Sequence, residues 1–202
     1  AIYYLAGEDV TKIAQSPHLE GFKAKGIEVL LLSDPVDEFW LQHVTEFDGK
    51  PFKSITRGAA DLDNIVADEE TKTDDDQAEP VDIAELIASI KLELGDAIKD
   101  ARPSKRLTDS PVCLIADDGD MDVNLERILK RHGQLQNGVP RVLELNPDHP
   151  IIKKLAERAR GSEAADDDLL KESAHLLLDQ ARIADGELPS DPAGFARRLG
   201  SP

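Results

Sequence analysis

The segment LTDSPVCLIADDGDMDVNLERILKRHG, residues Leu107–Gly133, joins a strand to a helix and frames the chain on either side of it. Val112, Cys113, Leu114 and Ile115 form an apolar run within Pro111–Ala116. Its length and β-branching predict a buried strand. Asp117-Asp118-Gly119 stops the run. A helix is expected from about Asp120 to Arg131, with Asp118 or Asp120 as N-cap and basic residues in its last turn. At about 100° per residue, Met121, Leu125, Ile128, Leu129 and His132 share one wedge of this helix. Asp122, Glu126, Arg127, Lys130 and Arg131 face elsewhere, and Gly133 suits a left-handed cap. Periodicity alone leaves open whether the wedge is packed inside or presented to a partner. The acids Asp117, Asp118, Asp120 and Asp122 do not make a calcium loop. Counting from Asp118, Val123 stands where the turn glycine belongs and Leu129 where the bidentate glutamate belongs. Acids at a helix start are explained by the macrodipole.

Upstream, Ile2–Ala6 predicts a strand and Val10–Gln15 a short helix. Ser16-Pro17 caps a second helix that runs to Lys25. Ile27–Leu32 is a continuous apolar run of the kind buried on both faces of a parallel sheet. Ser33-Asp34-Pro35 opens a helix over Val36–Thr45, and Phe52–Thr56 suits a strand. This alternation is the rhythm of an α/β unit. Phe39, Trp40 and Leu41 fan over about 200° of their helix, so one of them is expected to be exposed or at an interface. Trp40 half-buried against the sheet is the ordinary alternative. Asp68–Glu79 holds seven acids, one lysine and no large apolar residue, the composition of a linker.

Beyond it, Ile83, Leu86, Ile87, Ile90, Leu94 and Ile98 recur at helical steps through Pro80–Asp100, and Gly95 weakens or splits that helix. Ala97–Leu107 is expected as a strand. Val139–Leu145 is another, with Val142 and Glu144 alternating against Leu143 and Leu145. Helices are expected over Ile151–Arg160, from Ala164 or Asp166 to about Asp185, and after Asp191-Pro192. The longest carries Leu169, Leu170, Ser173, Ala174, Leu177, Leu178 and Ala181 on one stripe. Two amphipathic helices joined by a short loop make half of a four-helix bundle, unless they fold onto their own domain. On the first reading, Leu170, Leu177, Leu178, Ala181, Phe195 and Leu199 form the seam of a two-fold dimer.

Composition narrows the function. The 202 residues carry a net charge of −17, which argues against nucleic acid or an anionic membrane as the main partner. No stretch approaches the roughly 18–20 apolar residues of a membrane span. The single cysteine, Cys113, excludes a disulfide framework and favours a reducing compartment. His18, His43, His132, His149 and His175 are scattered without metal spacing. An enzyme would have to use Asp34, Asp37 and Glu38, which no nucleophile–base pair or phosphate loop accompanies. The chain opens at Ala1 on a strand-like run and stops just after the Phe195–Leu199 run, so a piece of a longer protein is expected.

Four stretches carry a resemblance: RLTDSPVCLIADD, ELNPDHPIIKKLAE, LLLDQARIADG and PHLEGFKAKGIEVLLLSDPVDEFWLQHVTEFDGKPFKSI. Together, in order and in register, they resemble the heat shock protein 90 chaperone family in its bacterial form. The resemblance covers nearly the whole chain apart from the acidic linker. It implies the end of a middle domain over residues 1–66, a linker over 67–79 and a C-terminal dimerisation domain over 80–202. The implied fold is a small α/β unit followed by a mixed α+β domain, whose terminal helices form a dimeric four-helix bundle. The resemblance implies a non-catalytic piece of an ATP-driven cytoplasmic clamp. ATP and Mg2+ bind the full-length protein, and this piece holds no cofactor or metal. It also implies client contact through Trp40 and His43 on one helix and Met121, Leu125, Ile128 and Leu129 on another. Partners would be a second copy, non-native client proteins and co-chaperones. A rival from another class is the small α/β enzyme around Asp34, Asp37 and Glu38. A third is a purely structural dimerisation module, with Trp40 and Met121 buried.

Overall fold

The computed structural model describes residues 1–58, 62, 82–135, 138–161 and 167–200. The acidic run 67–79 lies outside the described residues. Two small sheets organise the chain. In the first part, β1 (Ile2–Ala6) is followed by α1 (Val10–Ile13), a 3-10 turn at Pro17–Leu19 and α2 (Glu20–Ala24). Next come β2 (Leu30–Leu32), α3 (Pro35–Leu41), β3 (Glu46–Phe47) and β4 (Lys50–Ser54). The strand order is β2-β1-β4-β3, with β1 parallel to both neighbours and β3 antiparallel to β4. Leu5, Ile13, Leu19, Phe22, Ile55 and Leu62 close its core.

The run Ile27–Leu32 departs from expectation. Only Leu30–Leu32 form the strand, and it lies at the sheet edge with Leu30 47% exposed. As an edge strand it has a single neighbour, and its residues stay exposed or half-buried, so the apolar run is not buried on both faces. The helix expected over Val36–Thr45 is also shorter, ending at Leu41.

The second part contains α4 (Ala84–Leu94), β5 (Asp100–Pro103), β6 (Val112–Ile115), α5 (Val123–Arg131) and β7 (Val142–Leu145). It ends with α6 (Pro150–Ala159), α7 (Asp168–Ala184) and α8 (Pro192–Gly200). Strand β7 is central, parallel to β5 and antiparallel to β6. Its alternation is as the sequence predicts. Leu143 and Leu145 join a core built with Leu86, Ile90, Ile152 and Leu178. Glu144 lies opposite Cys113 in the register, on the other side of the sheet. Gly95 ends α4 at φ 46°, a conformation that L side chains avoid, and a 3-10 turn leads on to β5.

Arg106 is the polar centre where the two parts meet. It is 1% exposed, with Nε donating to Glu144 Oε2 at 2.8 Å and Nη2 to the Gly58 carbonyl at 2.7 Å. Its Nη1 donates to the Ile55 carbonyl. Arg102 and Ser104 complete the shell of donors around Glu144. A buried carboxylate is tolerated only when so fully bonded. Cys113 is buried beside it, and burial first, then the Glu144 charge, pushes the thiol well above its ordinary value. It is a packed core residue.

Candidate functional site

Helix α5 begins later than predicted. Its N-cap is Asp122, whose side chain accepts the Asn124 N–H at 2.9 Å, and neither Asp118 nor Asp120 caps it. Asp117 and Asp120 grip Lys99 instead, at 2.9 and 2.8 Å. The acidic cluster is therefore employed by a lysine as well as by a helix start.

The polar side of α5 faces inward. Asp122, Val123, Asn124 and Glu126 are all under 7% exposed. Glu126 accepts from Lys130 at 2.7 Å, from the Val139 N–H at 3.1 Å and from Arg141 at 3.4 Å. Burial pushes the Glu126 carboxyl up, but Lys130 and Arg141 outweigh it and hold it below its ordinary value. Arg127 donates to the Asp185 carbonyl at the end of α7. Arg141, itself buried, also meets Glu187 at 3.0 Å and Asp185 at 3.6 Å. Leu125, Ile128 and Leu129 lie on the opposite side of the helix, each half-buried; Met121, also half-buried, stands just before the N-cap and so outside α5, and His132 is exposed. None of the four joins a core cluster. An amphipathic helix ordinarily buries its apolar stripe; this one docks by its charges.

A second apolar surface lies on α3 and the hairpin after it. Trp40 is half-buried, its Nε1–H donating to Asp37 Oδ1 at 2.9 Å and its ring meeting Phe52 edge-on at 5.5 Å. His43 is exposed, with Nδ1 2.9 Å from the Phe39 carbonyl. Of the three consecutive apolar residues, Phe39 is the exposed one at 54%. Val36, Val44 and Phe47 are exposed with it, and sequence reasoning passed over all three. Residues without a periodic partner were the available signal. Asp34 and Asp37, offered for an enzyme, form a capping box at the start of α3. The Glu38 side chain lies outside the described residues. Among the described residues, no group of three His, Cys, Asp or Glu side chains is placed to hold a metal, and no helix is long and apolar enough to cross a membrane.

The terminal helices redistribute the predicted dimer seam. Leu170, Leu177, Leu178 and Ala181 are buried in the chain's own core, where α7 packs on β6 and α4. Leu177 in addition lines the apolar groove between α6, α7 and α8. Phe195 is half-buried and Leu199 64% exposed. Both line an apolar groove with Ile151, Leu176 and Ile183. Leu169, which opens the stripe read from the sequence, faces outward with Leu176 and Ile183, spaced seven residues apart along α7.

The family described as "Hsp90 protein" matches residues 1–201. The chain belongs to the Hsp90 family. Its relatives place it in the bacterial branch named HtpG. It is 74% identical to the chaperone protein HtpG of Roseobacter denitrificans, over 100% of this chain and 32% of that protein. It is 47% identical to the chaperone protein HtpG of Paramagnetospirillum magneticum, over 98% of this chain and 32% of the relative. With the HtpG of Nitrobacter winogradskyi it shares 50% identity, over 98% of this chain and 30% of the relative. The chain therefore spans about a third of the length of these relatives.

Proposed function

We propose that this chain is the part of a bacterial Hsp90-type chaperone that holds two protomers together and offers apolar surface to non-native proteins. The observation that carries this reading is the orientation of α5. Its charged side is bonded inward, and Leu125, Ile128 and Leu129, with Met121 just ahead of the N-cap, are left partly open. Apolar surface rimmed by charge is what a binder of varied partners presents. Phe39, Trp40, Val44 and Phe47 add to it on the first sheet's part, with His43 at their edge. The domain boundaries at 1–66, 67–79 and 80–202 belong to this reading. So do the cytoplasmic location and a clamp driven by ATP and Mg2+ bound elsewhere in the full-length protein. In the dimer, α7 and α8 of two copies meet through Leu176, Ile183, Phe195 and Leu199.

The test replaces Met121 and Leu125 by Ser. Partly open side chains should lose no more than about 1 kcal/mol each in urea unfolding. Core side chains would lose about 2–5 kcal/mol each. The double variant should remain as dimeric as the parent and suppress aggregation of an unfolded protein less well. Large destabilisation, or unchanged suppression, would refute the reading.

A further inference from the structure

The segment Ser54–Gly58 is the seam between the two parts. Ala116 N–H donates to the Thr56 carbonyl at 2.9 Å, and Gly58 N–H to the Ala116 carbonyl at 2.8 Å, so the segment pairs with the end of β6. Gly58 sits at φ 68°, and a Cβ there would stand 1.9 Å from Asp118 Oδ1. From this seam the hydroxyls of Ser54 and Thr56 both donate to Asp122 Oδ2, the latter at 2.8 Å. The other oxygen of the same carboxylate caps α5. Asp122 is 4% exposed. One buried carboxylate therefore starts the helix and ties it to the first sheet's last strand.

We infer that Asp122 is the positioning residue of α5: its bonds from Ser54 and Thr56 fix the helix against the first part and hold the apolar face of α5 outward. This deepens the reading of that face as client-facing and rests on it. The helix has nine residues, too few to be stable alone. Among its inward residues only Val123 is apolar, so packing does little to fix its rotation. Placement falls to polar points, which are Asp122 at the start, Glu126 with Arg141 in the middle and Arg127 on the Asp185 carbonyl. Hydroxyl bonds to a buried carboxylate are of the strong, charge-assisted kind. Of the three, only Asp122 reaches β4 and the residues just after it. Displacement of the first part relative to the second would act on α5 through this carboxylate.

The test separates cap from tie. Asp122→Ser keeps an N-cap but is too short to reach both hydroxyls. Ser54→Ala with Thr56→Val keeps the cap and removes the tie from the other side. Hydrogen exchange of the whole chain should show α5 amides exchanging about tenfold faster in both variants, a factor equal to ~1.4 kcal/mol, with α4, α6 and α7 unchanged. Combining the changes should add little. Unchanged α5 exchange in the Ser54/Thr56 variant overturns the inference. Faster exchange throughout the second part also overturns it, because the effect would then be general stability. If α5 loosens as expected but suppression of client aggregation is unaltered, the positioning role stands and the client-facing reading fails.

Discussion

Glu20 shows how a single side chain can join two parts of a chain. Its carboxylate accepts the backbone N–H groups of Thr108 and Asp109, each at 2.8 Å, and of Ser110 at 3.1 Å. Burial pushes this carboxyl up, but the bonds from Ser110, Asp109 and Thr108 together outweigh it and leave it below its ordinary value of 4.5. A lowered folded value means stability that is present above pH 4.5 and lost as the pH falls through the folded value. Glu20→Gln should therefore be less stable than the parent at neutral pH, and the gap should close below about pH 4.5. Urea unfolding across pH checks this; a gap that widens in acid contradicts it. Arg106→Ala strips the buried Glu144 of one cation and two backbone carbonyls of their donor. The expected loss is about 3–5 kcal/mol in the same assay. Neither residue was legible in the sequence. Glu20 is one acid in the first turn of a short helix, and Arg106 is one arginine among many until the fold brings Ile55, Gly58 and Glu144 around it.

At the scale of elements, the sequence is informative where an element's pattern and its burial agree. The strand at Val112–Ile115, the alternation along β7 and the stop at Gly95 all follow from local rules. Gly95→Ala should cost about 1–2 kcal/mol, since φ is positive there, and a neutral thermal scan would show that the glycine is not needed. Elements went astray where tertiary partners override the pattern. The IEVLLL run lies at a sheet edge because β1 has its second neighbour in β4, which arrives later in the chain. Helix α5 was legible as amphipathic, but not which side it buries. That depends on Arg141, Asp185 and Thr56, distant residues whose charges and hydroxyls receive its polar face. The stripe on α7 suits a core and an interface equally, because the two look alike in sequence. Packing against α4 and β6 takes Leu178 into the core, while Leu177, in the same core, also lines the groove beside α8.

At the scale of the molecule, the apolar groove beside α8 and the apolar face at α5 are separate surfaces, the first proposed for a second copy and the second for other proteins. The groove makes a prediction that separates the two α7 stripes. Leu178→Asp should unfold the subunit, because it places an unpaired charge in its core. Ile183→Asp with Leu199→Asp should leave the subunit folded and weaken the dimer by about 2–4 kcal/mol in sedimentation equilibrium. A monomeric parent at high concentration would contradict the seam itself. The client-facing claim has an unusually direct reporter, since Met121 is the only methionine in the chain. Labelled at its methyl group, the protein gives one methionine signal from the N-terminal edge of the apolar face, just ahead of α5. Titration with a permanently unfolded protein should shift or broaden that signal at the concentrations that suppress aggregation, and Leu125→Ser should weaken the effect. A methionine signal that stays unchanged while the unfolded protein is demonstrably bound would contradict the account.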